Sequence, residues 1–171
     1  MRHTGIIRRL DRLGRVVIPM EYRKLHKIKI TDPLEIIALD NGDIIVRKTD
    51  LTAQLRDAGL PIIEEVFKAF GNSVMLTTCD RYIASTGKTA DGLVGTVISS
   101  KAQNLIEQKK SFKGLASEIG LDGGEFVLLY PVAADDIFGS LIMFSDNEIQ
   151  DCDVKVLDLS SKILGNTMQR F

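Results

Sequence analysis

Interleaved β-branched residues, arginines and glycines at the start of the chain predict a short β-hairpin. Residues 5–10 and 15–18 are rich in β-branched side chains, and arginines are interleaved with them. The polar connection between these segments ends at Gly14, which can adopt the positive φ that a tight turn requires. We therefore expect two strands here, joined by a short turn.

A helix and a second hairpin are expected before residue 50. Pro19 is tolerated in the first turn of a helix, so residues 20–26 are predicted to be helical. Residues 34–39 and 44–48 are apolar runs on either side of an Asn-Gly pair, which is a strong hairpin signal. Four short strands bury too little surface to fold alone, so we expect two copies of this segment to form an intertwined dimer.

From residue 51 onward the apolar residues recur at helical spacing. This spacing predicts an amphipathic helix over residues 55–70, interrupted or kinked near Pro61. The remaining predicted elements are strands at residues 73–78, 82–85, 126–133 and 137–145, and helices at residues 93–109 and 154–168. Helices alternating with pairs of strands indicate an α+β domain.

Charge is divided unevenly along the chain. The formal net charge is only -1, yet residues 1–50 hold 11 basic and 7 acidic side chains, whereas the remainder holds 11 and 16. Such asymmetry suggests a cationic segment for a polyanion, joined to a domain with another task. We therefore expect one domain at residues 1–50 and a second at residues 51–171.

Composition argues against several classes of protein. No apolar stretch approaches the length of a signal peptide or a membrane span, so we expect a cytoplasmic protein without a membrane partner. Cys79 and Cys152 are isolated from each other and from histidine, so we expect buried, reduced thiols. For the same reason we expect neither a metal site nor a cofactor.

Residues 4–19, together with residues 32–36, strongly resemble the AbrB-type transition-state regulators. Less specific likenesses to members of that family with a second domain occur at residues 72–74, 79–80, 82–84 and 139–145. The resemblance implies an all-β swapped-hairpin barrel formed by two chains, followed by an α+β GAF-like domain. It also implies a homo-tetramer in which helices of the second domain pair, and regulation of transcription during spore development.

In that family, arginines on the dimeric barrel contact DNA. By motif, these positions fall here on Arg8, Arg15, Arg23 and Lys24. Lys24 stands where a second arginine is usual, and it keeps the charge but lacks the planar fork of a guanidinium. Lys27 stands where many members have a glycine at the end of a helix. The resemblance thus implies double-stranded DNA as a partner, bound with steep salt dependence.

Other functions stay open at this point. The GAF-like domain either binds a small molecule, which no residue cluster identifies, or serves only in oligomerisation. Some GAF-like proteins are thiol-dependent reductases, but the acidic neighbours of Cys152 disfavour a reactive thiolate, and we expect no enzyme. An AbrB-fold antitoxin is the third alternative, although a folded tail of about 120 residues is unlike a short disordered toxin-binding peptide.

Overall fold

The computed structural model describes residues 5–30, 32, 34–87, 92–122 and 125–169. The chain forms two compact units, Met1–Asp50 and Leu51–Phe171. Thr4 and Pro33, which belong to the motif of the family resemblance, lie outside the described residues.

The first unit contains one short helix and one antiparallel hairpin. Helix α1 spans Met20–Leu25, strand β1 spans Leu34–Ala38 and strand β2 spans Ile44–Lys48. The two strands are joined by a turn in which Gly42 has a φ of +89°. The short helix and the Asn-Gly hairpin predicted from the sequence are both confirmed.

The first predicted hairpin does not form as a pair of strands within one chain. Its turn is present, since the Asp11 N–H donates to the Arg15 carbonyl at 2.9 Å. Residues 5–10 and 15–18, however, are not paired as strands within one chain, and the strand prediction is wrong for the single chain. A strand requires a ladder of hydrogen bonds to a neighbour, and beyond this turn the described residues supply none for these segments.

The described residues of the first unit include no buried side chain. One face of the β1–β2 hairpin shows this clearly, because Ile36 pairs with Val46 and Ala38 pairs with Ile44 on that face. Ile36 is 71% exposed, Ile44 is 69% exposed and Val46 is 41% exposed. The apolar face of this hairpin is therefore unpacked in one chain.

The second unit is an α+β domain around a five-stranded antiparallel sheet. Its helices are α2 (Leu51–Phe70), α3 (Ser100–Glu107) and α4 (Asp151–Met168), and a 3-10 helix spans Ala116–Ile119. Its strands are β3 (Ser73–Thr77), β4 (Tyr82–Thr86), β5 (Phe112–Leu115), β6 (Phe126–Ala133) and β7 (Ile137–Ser145). The order across the sheet is β4-β3-β7-β6-β5.

Both faces of this sheet are buried. On one face, Leu76 and Leu141 pack with residues of α2 and α4, including Leu164. On the other face, Met75 and Ile142 pack with residues of α3 and the segments around it. Because successive strand residues point to opposite faces, a central strand covered on both sides is apolar throughout.

Three details differ from the sequence prediction. Helix α2 is not interrupted, and Pro61 lies inside it. Helix α3 begins at Ser100 rather than near residue 93, because the Ser99 side chain accepts the Ala102 N–H at 3.1 Å and caps the helix there. Strand β5 was not predicted, since it has only four residues and includes a lysine and a glycine.

No helix in the described part of the chain is both long enough and apolar enough to cross a membrane.

Candidate nucleic-acid interface

The turn between the two arginine-rich segments is built around the carboxylate of Asp11. Its Oδ1 accepts the backbone N–H groups of Leu13 and Arg15, both at 2.9 Å. The backbone closes the same turn, because the Gly14 N–H donates to the Asp11 carbonyl at 3.0 Å. Gly14 has a φ of +73°, which glycine adopts without the steric penalty of a side chain. The sequence therefore fixes a tight turn directly before Arg15.

Arg15 is tied to this turn by its side chain as well. Its Nε donates to Oδ2 of Asp11 at 2.8 Å. Hydrogen bonds from the backbone of Arg15, and then from its side chain, lower the pKa of the Asp11 carboxyl below its ordinary value. The carboxylate is thus charged at neutral pH, while the side chain of Arg15 remains 70% exposed. Arg15 presents a positive charge to solvent from a defined turn.

Arg23 and Lys24 lie together in the last turn of α1. The Pro19 carbonyl accepts the Arg23 N–H at 3.0 Å, and a proline without its own N–H suits this helix start. Positive side chains near the C-terminal end of a helix interact favourably with the helix dipole. Lys24 is exposed and Arg23 is half-buried. The Nε of Arg23 is buried and has no hydrogen-bond partner within the described residues.

Helix α1 ends in a hydrogen-bonded cap with a lysine in the left-handed conformation. The Lys27 N–H donates to the Lys24 carbonyl at 3.3 Å, and the Ile28 N–H donates to the Arg23 carbonyl at 2.8 Å. This is the Schellman pattern, in which glycine usually occupies the left-handed position. Lys27 has a φ of +53°, which is strained for a residue with a Cβ. The lysine found in place of the family's usual glycine therefore keeps the cap, at a cost in backbone strain.

An open hollow of about 490 Å³ lies beside α1. Its lining combines apolar and basic side chains: Met20, Arg23, Lys24, Lys27, Ile28, Lys29 and Ile30. The hollow brings Lys27 and Lys29 next to the two predicted contact residues of the helix. The sequence analysis did not single out these two lysines as site residues, although four basic side chains between residues 23 and 29 are a visible signal.

The basic residues of the β1–β2 hairpin are compensated by acidic partners. Arg47 Nε lies 2.7 Å from a Glu35 oxygen, and Lys48 Nζ lies 2.8 Å from Asp32 Oδ2. The hydrogen bond from the Lys48 side chain, followed by the one from the Lys29 backbone, lowers the pKa of Asp32. The positive charge of this unit is thus least balanced in the segments around α1 and the Asp11 turn.

The four predicted contact residues fall into two groups. Arg23 and Lys24 share the end of α1, whereas Arg8 and Arg15 lie on opposite sides of the Asp11 turn. Arg8 is exposed, and it makes no ion pair with any other described residue. No hydrogen bond or ion pair joins the two groups within the described residues. Like Lys27 and Lys29, Asp11 is a residue of this site that sequence reasoning missed.

The second unit has a cleft of about 300 Å³, lined by residues that follow α3, by residues of β6 and the turn after it, and by residues of α4. Lys109 Nζ donates to the carbonyls of Ala134 and Asp135, both at 2.8 Å. Lys162 Nζ lies 2.6 Å from Asp158 Oδ2. Both lysines of the cleft are engaged within the chain, so the cleft identifies no class of ligand.

The two cysteines have different environments. Cys79 is half-buried, and burial, followed by the charges of Glu107 and Asp80, raises the pKa of its thiol. Because the thiolate is the reactive form, this environment lowers its reactivity. Cys152 is exposed, so the expectation that both thiols are buried is wrong. Its neighbour Asp153 turns inward instead, where its side chain accepts the Gln150 N–H at 2.9 Å and caps α4.

Among the described residues, no group of three or more histidine, cysteine, aspartate or glutamate side chains is placed to hold a metal ion.

This chain is similar to known proteins along nearly its whole length. Residues 7–53 match the family described as antidote-toxin recognition MazE, bacterial antitoxin. Stage V sporulation protein T of Bacillus subtilis (strain 168) is 29% identical over 178 residues, which covers 99% of this chain and 100% of that protein. The transition state regulatory protein AbrB of the same strain is 50% identical over 48 residues, which covers 28% of this chain and 49% of AbrB.

Solved structures resemble the second unit. The GAF-B domain of DevS from Mycobacterium smegmatis superposes with a TM-score of 0.57 at 11% identity, covering 68% of this chain and 93% of that chain. A type II free methionine-R-sulfoxide reductase from Thermoplasma acidophilum gives a TM-score of 0.56 at 12% identity, covering 71% and 97%. At these identities the likeness concerns the fold alone. The chain is therefore similar to stage V sporulation protein T along 99% of its length, and it joins an N-terminal unit of the AbrB and MazE type to a second unit with the GAF fold.

Proposed function

We propose that this protein is a transcription regulator of sporulation genes that binds double-stranded DNA through its first unit. The observation that carries the proposal is the similarity to stage V sporulation protein T along nearly the whole chain. The unbalanced positive charge around the Asp11 turn and α1 supports it independently, because a basic surface on a small domain attracts the phosphate backbone.

The DNA-binding form is a dimer of first units. The described residues of this unit include no buried side chain, and the face that carries Ile36 and Ile44 is open to solvent. A segment with so much exposed apolar surface gains stability when a second copy covers it. Pairing would also supply the missing ladder partners of residues 5–10 and 15–18. A swapped-hairpin barrel made by two chains meets both needs.

The contacts to DNA come from Arg8, Arg15, Arg23 and Lys24. These side chains are exposed or half-buried. Within the described residues, Arg15 is the only one of the four that forms an ion pair, and its partner is Asp11. Each phosphate neutralised by such a side chain releases counterions, so binding weakens steeply as salt is raised. Sequence preference then arises from DNA shape as well as from contacts to base edges.

A salt titration of the full-length protein tests the proposed interface. Binding to a promoter fragment and to a random duplex is compared for the wild type, Arg15→Ala and Arg23→Ala. Each alanine variant is expected to weaken binding and to reduce the salt slope by about one unit for each phosphate contact that the dimer loses. Arg56→Ala, which removes an exposed arginine of the second unit, is the matched control and should bind as the wild type does. Unchanged affinity and slope in both first-unit variants would show that the interface lies elsewhere.

The second unit is proposed to bring dimers together into a tetramer. Leu159 and Ile163 lie one turn apart on α4 and are 59% and 51% exposed, and Leu60 on α2 is 36% exposed. Exposed apolar residues at this spacing suit pairing between helices. Sedimentation of Ile163→Lys should yield dimers in place of tetramers. A small-molecule signal read by this unit is a further part of the proposal, and ligand-dependent stabilisation against heat would support it.

An antitoxin is the second candidate, because residues 7–53 match the MazE antitoxin family. Antitoxins of this kind would need a segment that wraps a toxin, whereas residues after 50 form a folded unit here. Affinity purification of the tagged protein from its own cells distinguishes the two. Stoichiometric recovery of a small toxin would favour the antitoxin, and its absence together with DNA binding would favour the regulator.

A further inference from the structure

The two carboxylate oxygens of Asp11 have separate tasks. Oδ1 accepts two backbone N–H groups, those of Leu13 and Arg15, and so holds the turn. Oδ2 accepts the Nε–H of the Arg15 side chain at 2.8 Å. Oδ1 therefore holds the backbone of the turn, and Oδ2 restrains the Arg15 side chain, which contacts DNA in the proposed function.

This contact restrains an otherwise mobile side chain. An exposed arginine loses rotamer freedom when it is fixed in an interface, and that loss weakens binding. The Nε contact restricts Arg15 before any ligand arrives, although its side chain is 70% exposed. Guanidinium has five N–H donors, and the contact to Asp11 uses only the one on Nε. The four donors on the two Nη atoms stay free of this contact. The planar fork thus remains available to phosphate or to a base edge.

The negative charge of Asp11 also has an effect that weakens DNA binding. It is one of 7 acidic residues in a segment with 11 basic ones, and a carboxylate beside a DNA-binding arginine repels phosphate. If charge alone mattered, neutralising Asp11 would strengthen binding to every duplex. If positioning matters, neutralising it would weaken binding to a preferred sequence while sparing binding to a random one. The two effects are therefore separable by experiment.

We propose that Asp11 is a positioning residue that orients the guanidinium of Arg15 and thereby contributes to discrimination between DNA sequences. This inference rests on the proposed function, because it assumes that Arg15 contacts DNA. Asp11 itself contacts no DNA in this proposal and acts through the side chain of Arg15.

The variant Asp11→Asn isolates this effect. Its amide oxygen can still accept the two backbone N–H groups, so the turn is kept, but its NH2 group cannot accept the Arg15 Nε–H. Full-length proteins are titrated with two duplexes, one selected by the wild type from a randomised pool and one of random sequence. The affinity of Asp11→Asn for the selected duplex should fall about threefold to tenfold, as expected for losing one preordered side chain. Its affinity for the random duplex should stay the same or rise.

Asp40→Asn is the matched control, because it removes the same charge from an exposed turn residue that forms no ion pair within the described residues. It should change both affinities by the same factor. Equal changes for Asp11→Asn as well would overturn the proposal, since charge alone would then explain Asp11. In an Arg15→Lys background, Asp11→Asn should have no further effect on discrimination. A persisting loss there would show that Asp11 does not act through Arg15.

Nuclear magnetic resonance of the free protein provides a readout that does not depend on DNA. The Arg15 Nε proton should exchange more slowly with solvent in the wild type than in Asp11→Asn. Equal exchange rates would show that the contact does not persist in solution and would overturn the inference. If Arg15→Ala leaves wild-type binding unchanged, the proposed interface fails and the inference fails with it. If Arg15→Ala weakens binding but Asp11→Asn shifts both duplexes equally, the inference alone fails.

Discussion

Replacing Ile36 by valine and by threonine tests whether a second copy of the chain covers the first unit. Valine and threonine have the same shape and both favour strands, so the two variants differ mainly in one hydroxyl group. Ile36 is 71% exposed in the single chain, on the same face of the β1–β2 hairpin as Val46. The cost of the hydroxyl therefore reports whether this face is in water or in an interface.

The expected difference is large if the face is covered. Burying a hydroxyl without a partner costs about 1–3 kcal/mol in proteins, and a symmetric dimer contains the substitution twice. Ile36→Thr should then destabilise the dimer by about 2–6 kcal/mol relative to Ile36→Val. The valine variant itself should lose only about 0.5–1.5 kcal/mol per copy, as is usual for removing one buried methyl group. On a face that stays exposed, the two variants should agree to within about 0.5 kcal/mol.

Hydrogen exchange of the β1 and β2 amides in the full-length protein measures the opening free energy of this unit. It should be recorded at two protein concentrations a factor of about ten apart. If the pairing is bimolecular, mass action should raise the opening free energy per copy by about 0.7 kcal/mol over that range, because one dimer opens to two copies. Val94→Thr is a control, since Val94 is 46% exposed and belongs to the second unit. Threonine and valine variants of equal stability would refute the covered face.

Three further predictions concern single positions. Gly139→Ala should destabilise the second unit by about 3 kcal/mol in denaturant titrations, because an added Cβ would lie 1.8 Å from the Thr77 carbonyl oxygen. Gly92→Ala is the control and should be neutral, since its Cβ would meet no atom within 4 Å. Lys27→Gly should stabilise the first unit by about 0.5–1 kcal/mol, since it relieves a left-handed lysine at the expense of some chain entropy. Lys109→Gly should bring no such gain in thermal unfolding, because Lys109, at a φ of +53°, also donates two side-chain hydrogen bonds. Cys79 should react with a thiol reagent more slowly than the exposed Cys152 at pH 8, because Cys79 is half-buried and its raised pKa delays formation of its thiolate. Faster labelling of Cys79 at pH 8 would contradict this assignment.

The elements predicted correctly from the sequence are those whose signals are local. The Asn-Gly pair specified the β1–β2 turn, and the apolar runs of β6 and β7 indicated a pair of strands. The start of α3 was misplaced because apolar spacing extends back to residue 93, whereas the Ser99 cap decides where the helix begins. Strand β5 was missed because it owes its conformation to pairing with β6 rather than to its own residues.

The candidate site was predictable from its charges but not from its contacts. The arginines around Gly14 and the basic run of residues 23–29 are visible in the sequence. The sequence does not show that one oxygen of Asp11 accepts backbone N–H groups while the other accepts the Arg15 side chain. These contacts depend on how the turn brings Arg15 close to residue 11. The left-handed conformation of Lys27 was partly predictable. The family pattern showed a lysine where glycine is usual, but only the backbone of the structure shows that this lysine adopts the left-handed conformation.

The wrong strand prediction and the exposed isoleucines have the same physical origin. A sequence pattern reports which surfaces must be covered, and it does not say whether the covering atoms belong to the same chain. If the first unit folds only as a pair, its binding to DNA depends on protein concentration through that pairing. A second unit that associates by its own helices would hold first units close together and turn their pairing into an intramolecular step. Oligomerisation alone would then give the GAF-fold unit a role in DNA binding, and any ligand that shifted its association would change DNA affinity without touching the interface.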